Sequence, residues 1–316
     1  MALQTKKIFL FPGQGTQYPG MTLDFWEKSS AVKELFALAS DINGINIKAL
    51  LTEADAEILK RADISQTTVT LANLSASRFM EEQGLMPDGV AGFSLGEYAA
   101  LAVADVVGVE DCFRLVKVRG EVMQAAIDTI EGGAGMAAVI GLAPQTITAL
   151  LAEWNIEGLF TANFNSSRQT VVSGTASALV EAEPLFKRNG AKRFVRLPVA
   201  GPFHSPLMQS AVERFAPVLE GVSFNDPHLP LYSNVTGKRI TSGADAKWLA
   251  LPQITSPVRW IDEEISIIAD GFDVAFETGP GHTLAGFWKD MGNAIPCLAA
   301  GTVQDILDLF NNPIGC

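Results

Sequence analysis

Histidine is scarce in this chain, three residues in 316, at positions 204, 228 and 282. Any chemistry that needs a neutral imidazole as proton acceptor must use one of these three. Cysteine is equally scarce, and Cys112, Cys297 and Cys316 are an odd number at wide spacing. That pattern excludes a disulfide framework and matches no zinc site, so all three are expected to be reduced. Positive charge is short as well: Lys and Arg number 23 against 35 Asp and Glu, a net charge of −12. Nucleic acid is thereby excluded as a partner, because phosphate backbones need a broad excess of cations, whereas a small anion needs only one local cation. No apolar stretch reaches the roughly 18 residues of a membrane span. Ile8-Phe9-Leu10-Phe11 is also far shorter than the core of a signal peptide. A cytoplasmic protein without a membrane partner is expected.

What the chain does have is apolar mass: 48% hydrophobic residues and 18% charged ones, enough for a large core and a subdomain. Lys7–Phe11 and Val90–Phe93 are short apolar runs that end at Pro12-Gly13 and at a serine, and both read as buried parallel strands. Helical spacing runs from Gln66 to Glu82, and an alanine- and leucine-rich helix follows over Glu97–Ala104. Phe272–Phe276 is again strand-like and meets Gly279-Pro280-Gly281 before another helix. Strands alternating with helices, with functional loops at strand C-termini, predict an α/β fold.

The middle has a different rhythm. Strand (Met136–Ile140), helix (Pro144–Trp154), strand (Leu159–Asn163), strand (Thr170–Ser173), helix (Thr175–Asn189) and strand (Arg193–Leu197) give βαββαβ, the order of a ferredoxin-like unit. Turn-forming stretches at Glu131–Gly135 and Pro198–Pro202 bound it. The expected architecture is a large α/β-hydrolase-like domain with a parallel sheet, residues 1–131 and 199–316, into which a small ferredoxin-like subdomain, 132–198, is inserted.

Gly92-Phe93-Ser94-Leu95-Gly96 stands between a predicted strand and a predicted helix. G-x-S-x-G in that setting puts the serine on a tight turn with its hydroxyl exposed above the sheet, and the helix N-terminus supplies N–H donors for an oxyanion. The alternative is a serine that merely caps the helix. A nucleophile needs a base. His228 reads as a surface-loop residue and His282 as a capping or packing residue at a helix start. His204, in "GPFHSPLM", stands at the junction of the two domains, where pockets form.

The chain resembles the malonyl-CoA:acyl carrier protein transacylases nearly end to end. The resemblance rests on "FPGQGTQYPGM", "GFSLGEYAAL", "VRGEVMQ", "GMAAVIG", "NFNSSRQTVVSG", "GPFHSPLM", "SNVTG", "SPVRW" and "FETGPGHTLAG", in the family's order. It implies Ser94 as acyl-accepting nucleophile and His204 as base, with the N–H groups of Gln14 and Leu95 forming the oxyanion hole. It also implies that the main-chain carbonyl of Gln253 orients the histidine in place of an aspartate. Arg119 would bind the substrate's free carboxylate through two parallel hydrogen bonds and so select malonyl over acetyl; read alone it would be an exposed helical arginine. Leu95 and Phe203 agree with malonyl, and Asn163 and Asn165 match positions near the pocket mouth. One residue departs from the pattern: Phe93 stands where the family usually has histidine.

The resemblance implies a ping-pong transfer from malonyl-CoA to the phosphopantetheine thiol of an acyl carrier protein, for fatty-acid synthesis, with no bound cofactor or metal. A discrete acyltransferase of a polyketide synthase would present nearly the same motifs, and a serine thioesterase or hydrolase would share the serine and histidine. Lys187, Arg188, Lys192, Arg193 and Arg196 fall within one short stretch of an acidic chain. They suit either a helix C-terminus or docking of an acidic carrier.

Overall fold

The computed structural model describes residues 5–199 and 201–311. Cys316 and Ala200, within the expected exit stretch of the subdomain, lie outside the described residues. Among the described residues ten strands form two sheets: β1 (Lys7–Phe11), β2 (Gly89–Gly92), β3 (Ala134–Ile140), β4 (Leu159–Ser166), β5 (Gln169–Thr175), β6 (Arg193–Arg196), β7 (Leu231–Tyr232), β8 (Arg239–Ile240), β9 (Val274–Glu277) and β10 (Cys297–Ala299).

The larger sheet runs β10-β9-β1-β2-β7-β8 and is parallel except for the β7–β8 pair. Its central strand β1 is covered on both faces, which is why Ile8, Phe9, Leu10 and Phe11 are all apolar and all fully buried. β1 and β2 are in register from Ile8 opposite Gly89 to Phe11 opposite Gly92, so the loops at Pro12 and Phe93 leave the sheet side by side. In open α/β sheets ligands bind outside such strand ends.

Between β1 and β2 lies the helix Ala62–Glu82, four residues longer at its start than the apolar spacing indicates. Its polar residues Ser65, Gln66, Thr67, Thr68, Thr70 and Asn73 are buried with the apolar ones, which blurs the periodicity. It packs on the helix Val109–Asp128 at Gly120, where an added Cβ would meet the Ala62 carbonyl oxygen at 2.7 Å.

The smaller sheet is antiparallel, in the order β4-β5-β3-β6. The helices Pro144–Trp154 and Ala176–Arg188 cover it through a separate core that includes Val139, Ile147, Val172, Leu179 and Phe186. β4 runs three residues past its predicted end, with irregularities between Thr161 and Asn163 and between Phe164 and Ser166. There the strand bonds to the larger unit: Phe164 N–H donates to the Val258 carbonyl at 2.9 Å, and Val258 N–H donates to Ala162 at 2.9 Å. Other ends shift by one or two residues; the last strand of the large sheet's motif, predicted over Phe272–Phe276, is Val274–Glu277.

Among the described residues no helix is long and apolar enough to cross a membrane. Cys112 and Cys297 are free thiols.

Candidate active site

Ser94 occupies the turn between β2 and the helix Gly96–Val103 with φ +52°, a left-handed conformation that non-glycine residues avoid. The turn holds because its flanks are glycine. A Cβ at Gly92 would lie 2.1 Å from the Gly96 carbonyl oxygen, and one at Gly96 would lie 2.0 Å from that of Phe11. Two side chains fix the serine's own peptide groups: Ser94 N–H donates to Asn234 Oδ1 at 2.6 Å, and the Ser94 carbonyl accepts from Gln253 Nε2 at 2.9 Å.

His204 also has a left-handed backbone, φ +58°, and is held by its N–H on the Ile254 carbonyl at 3.1 Å. Its Nε2 lies 2.7 Å from Ser94 Oγ. Its Nδ1 faces the carbonyl oxygens of Gln253 at 2.9 Å and Ser256 at 3.2 Å. Carbonyls only accept, so Nδ1 carries the hydrogen and the Nε2 lone pair points at the serine hydroxyl. Burial, and then the nearby Arg119 charge, lower the imidazole from 6.5 to about 4, against a smaller opposing effect of the two carbonyls. The ring is neutral at physiological pH and free to take a proton.

Beside the serine, the Pro12–Gly15 loop presses on the turn: a Cβ at Gly13 would lie 2.4 Å from the Phe93 carbonyl oxygen. Asn73 Nδ2 anchors it through the Pro12 carbonyl at 2.9 Å. Among the described residues the N–H groups of Gln14 and Leu95 donate to no protein acceptor. Donors held ready beside a nucleophile suit a developing oxyanion.

Ser94 and His204 open into a cavity of about 230 Å³ lined also by Gln14, Gln66, Phe93, Asn163, Asn165 and Phe203. Asn163 and Asn165 are nearly fully buried there, and the Asn165 Oδ1 has no partner among the described residues. Phe93 is half-buried and packs its ring against Trp260 at 5.5 Å and Phe287 at 5.9 Å, an apolar wall where a histidine would have needed polar partners. Leu95 is different. Its side chain is wholly buried in the main core and is not part of the cavity wall.

Arg119 is fully buried on the helix Val109–Asp128, not an exposed helical arginine. It stands just behind the cavity wall instead of in it: Nη1 donates to Gln66 Oε1 at 2.7 Å and Nη2 to Gln253 Oε1 at 3.0 Å. The guanidinium carbon lies 5.3 Å from the Tyr98 ring. Two of five N–H donors are thus engaged by amides, and the Nε hydrogen has no partner among the described residues.

The remaining sequence candidates lie apart. His228 is exposed and pairs with Asp105 at 2.7 Å. His282 precedes the helix Thr283–Met291, is exposed and makes no side-chain cap. Of the five cations only Lys187 and Arg188 end a helix, and Lys187 is paired with Glu183 at 2.5 Å. Arg193 and Arg196 are exposed on β6, an edge strand, where charge also prevents pairing with other chains.

Sequence reasoning missed the layer beneath. Asn234 Nδ2 donates to the Gly92 carbonyl and to Glu263 Oε1, both at 2.7 Å. Glu97 Oε2 accepts from the Asn234 N–H at 3.0 Å and from Gln253 Nε2 at 3.1 Å. Burial pushes the Glu97 carboxyl up to about 7 and Glu263 well above the usual carboxylate range. Their signals were present, Glu97 within "GFSLGEYAAL" and Asn234 within "SNVTG", but nothing local indicates that the two segments meet.

A hydroxyl aimed at a neutral imidazole, beside two unengaged N–H donors, is an arrangement suited to nucleophilic attack on an acyl group, and the class of enzyme is given by the family. The acyl transferase domain family matches residues 8–301, and the chain belongs to that family. A malonyl CoA-acyl carrier protein transacylase of Bacillus subtilis is 36% identical over 304 residues, covering 96% of this chain and 95% of that protein. Two solved structures superpose with TM-scores of 0.92. One is a type II PKS acyl-carrier protein in complex with its malonyl-transacylase, 33% identical over 98% of this chain and 100% of the other. The second is the malonyl CoA-acyl carrier protein transacylase of Coxiella burnetii, 32% identical over 97% of each chain.

Proposed function

We propose that the chain transfers malonyl from malonyl-CoA to the phosphopantetheine thiol of an acyl carrier protein, through a malonyl ester on Ser94. The observation that carries this reading is the 2.7 Å contact of Ser94 Oγ with an imidazole whose other nitrogen is committed to main-chain carbonyls. As Oγ attacks the thioester carbonyl, its proton passes to His204 Nε2, and the oxyanion is met by the N–H groups of Gln14 and Leu95. The C–S bond breaks and the CoA sulfur takes that proton. In the second half the carrier thiol gives its proton to His204, its sulfur attacks the ester, and as the C–O bond breaks Oγ takes that proton from His204 Nε2, restoring the Ser94 hydroxyl and the neutral ring. The carbonyls of Gln253 and Ser256 stabilise the transient imidazolium without a carboxylate. Arg119 holds the malonyl carboxylate. The thioester is already activated, so the scheme draws on no metal or cofactor.

In this reading residues 1–131 and 199–316 form an α/β-hydrolase-like domain, 132–198 a ferredoxin-like insertion, and the exposed cations near β6 help dock the acidic carrier. Fatty-acid synthesis in the cytoplasm is the setting the malonyl product suits. Service to a polyketide synthase is the second reading, favoured by the likeness to the type II PKS transacylase. The test is to supply malonyl-CoA with holo acyl carrier protein and measure both products. Malonyl-carrier should dominate; free malonate as the main product would make the protein a hydrolase.

A further inference from the structure

We propose that Glu97 is a positioning residue for acyl transfer: one carboxylate oxygen ties the main chain of Asn234 to the side chain of Gln253, the two residues that set the relative placement of Ser94 and His204. The proposal rests on the reading of Ser94 and His204 as nucleophile and base. Glu97 lies in the first turn of the helix Gly96–Val103, only 4% exposed, where the helix N-terminus favours an acidic side chain. Its Oε2 receives the Asn234 N–H and one Gln253 amide hydrogen.

Each of those partners controls one half of the pair. Asn234 grips the nucleophile turn on both sides of Phe93, through the Ser94 N–H and the Gly92 carbonyl. Gln253 orients the His204 ring with its main-chain carbonyl, and its side-chain amide reaches the Ser94 carbonyl and Arg119. Positions 94, 204, 234 and 253 sit on four separate segments of the chain. The shared acceptor on Glu97 is where the Asn234 and Gln253 arms meet, so its loss leaves two buried donors unpaired and lets both arms drift. What this requires is an oxygen with two lone pairs, not a negative charge.

That distinction supplies the test. Wild type, Glu97→Gln, Glu97→Asp and Glu97→Ala are compared for kcat and KM with malonyl-CoA and acetyl-CoA, alongside thermal melts. Glu97→Ala should lose about tenfold to a hundredfold in kcat on both thioesters, with KM for malonyl-CoA within about threefold. Glu97→Gln, which keeps the oxygen, should restore kcat to within about threefold of wild type. If Glu97→Ala does not fold, Glu97→Asp, whose oxygen retreats by one methylene, should show the same fall in kcat at unchanged KM. Normal kcat in the folded alanine or aspartate variant overturns the proposal. So does a glutamine variant as impaired as alanine, or a loss confined to KM for malonyl-CoA. Wild type that fails to acylate Ser94 would instead overturn the underlying reading.

Discussion

Replacing Arg119 by alanine separates substrate recognition from the rest of the site. A malonyl carboxylate brought beside Gln66 would then be desolvated with no cation to meet it, a penalty of roughly 3–5 kcal/mol for a broken buried pair. At about 1.36 kcal/mol per decade, kcat/KM for malonyl-CoA should fall by two to three orders of magnitude or more. Acetyl-CoA carries no carboxylate. It is exposed only to the indirect loss of the Arg119 bond to Gln253, whose carbonyl orients His204; such a bond to a charged group is worth about 1.5–3 kcal/mol, and because it acts through Gln253 the loss on acetyl should be smaller than that on malonyl. Arg119→Lys keeps the charge but not the planar fork and should fall between wild type and alanine. The assay is steady-state kcat/KM for both thioesters in all three proteins. Equal losses on malonyl and acetyl would refute the carboxylate role, since they would mean that Arg119 serves only to brace Gln66 and Gln253.

The His204 imidazole, held at about 4, should place the acid limb of kcat/KM for malonyl-CoA well below pH 6.5; a limb at 6.5 would mean that the ring is not buried as described. Because bound malonate would offset the Arg119 charge, the limb in kcat should lie higher than that in kcat/KM, and only for malonyl-CoA. The same lowered value has a stability consequence: between pH 6.5 and about 4 the unfolded chain takes this proton and the folded chain does not, so the contribution of His204 is full above 6.5 and shrinks as pH falls. Chemical denaturation across that window checks the sign. Phe93→His exchanges aromatic contacts with Trp260 and Phe287 for a polar ring, at about 0.5–1.5 kcal/mol per contact. Turnover should stay within about tenfold of wild type, about 1.4 kcal/mol in barrier. A much larger gain would show that Phe93 suppresses the activity.

The parts of this protein that were legible in its sequence are those whose causes are local. The run Ile8–Phe11 is uniformly apolar because the strand is covered on both faces, and Gly92 and Gly96 are glycine because backbone atoms lie within 2.1 Å of where a Cβ would stand. The two helices and four strands of the small sheet alternate cleanly because the face between them has its own core. Less visible was anything decided by segments far apart. The start of the helix at Ala62 was hidden because polar residues such as Ser65, Gln66 and Thr67 are buried there together with the apolar ones, which blurs the periodicity. Arg119 sits behind the cavity wall, engaged by Gln66 and Gln253, which lie 53 and 134 residues away in sequence. The Glu97–Asn234 contact spans 137 residues, and no periodicity or short motif encodes such a pairing.

The central claim is that Ser94 carries the acyl group, and the most direct measurement is the mass of the protein after brief mixing with malonyl-CoA. One malonyl group should add to the wild type, map by peptide analysis to the stretch containing Ser94, disappear on addition of holo acyl carrier protein, and never form in Ser94→Ala. A malonyl group found on any other residue, or one that still forms in Ser94→Ala, would contradict the account.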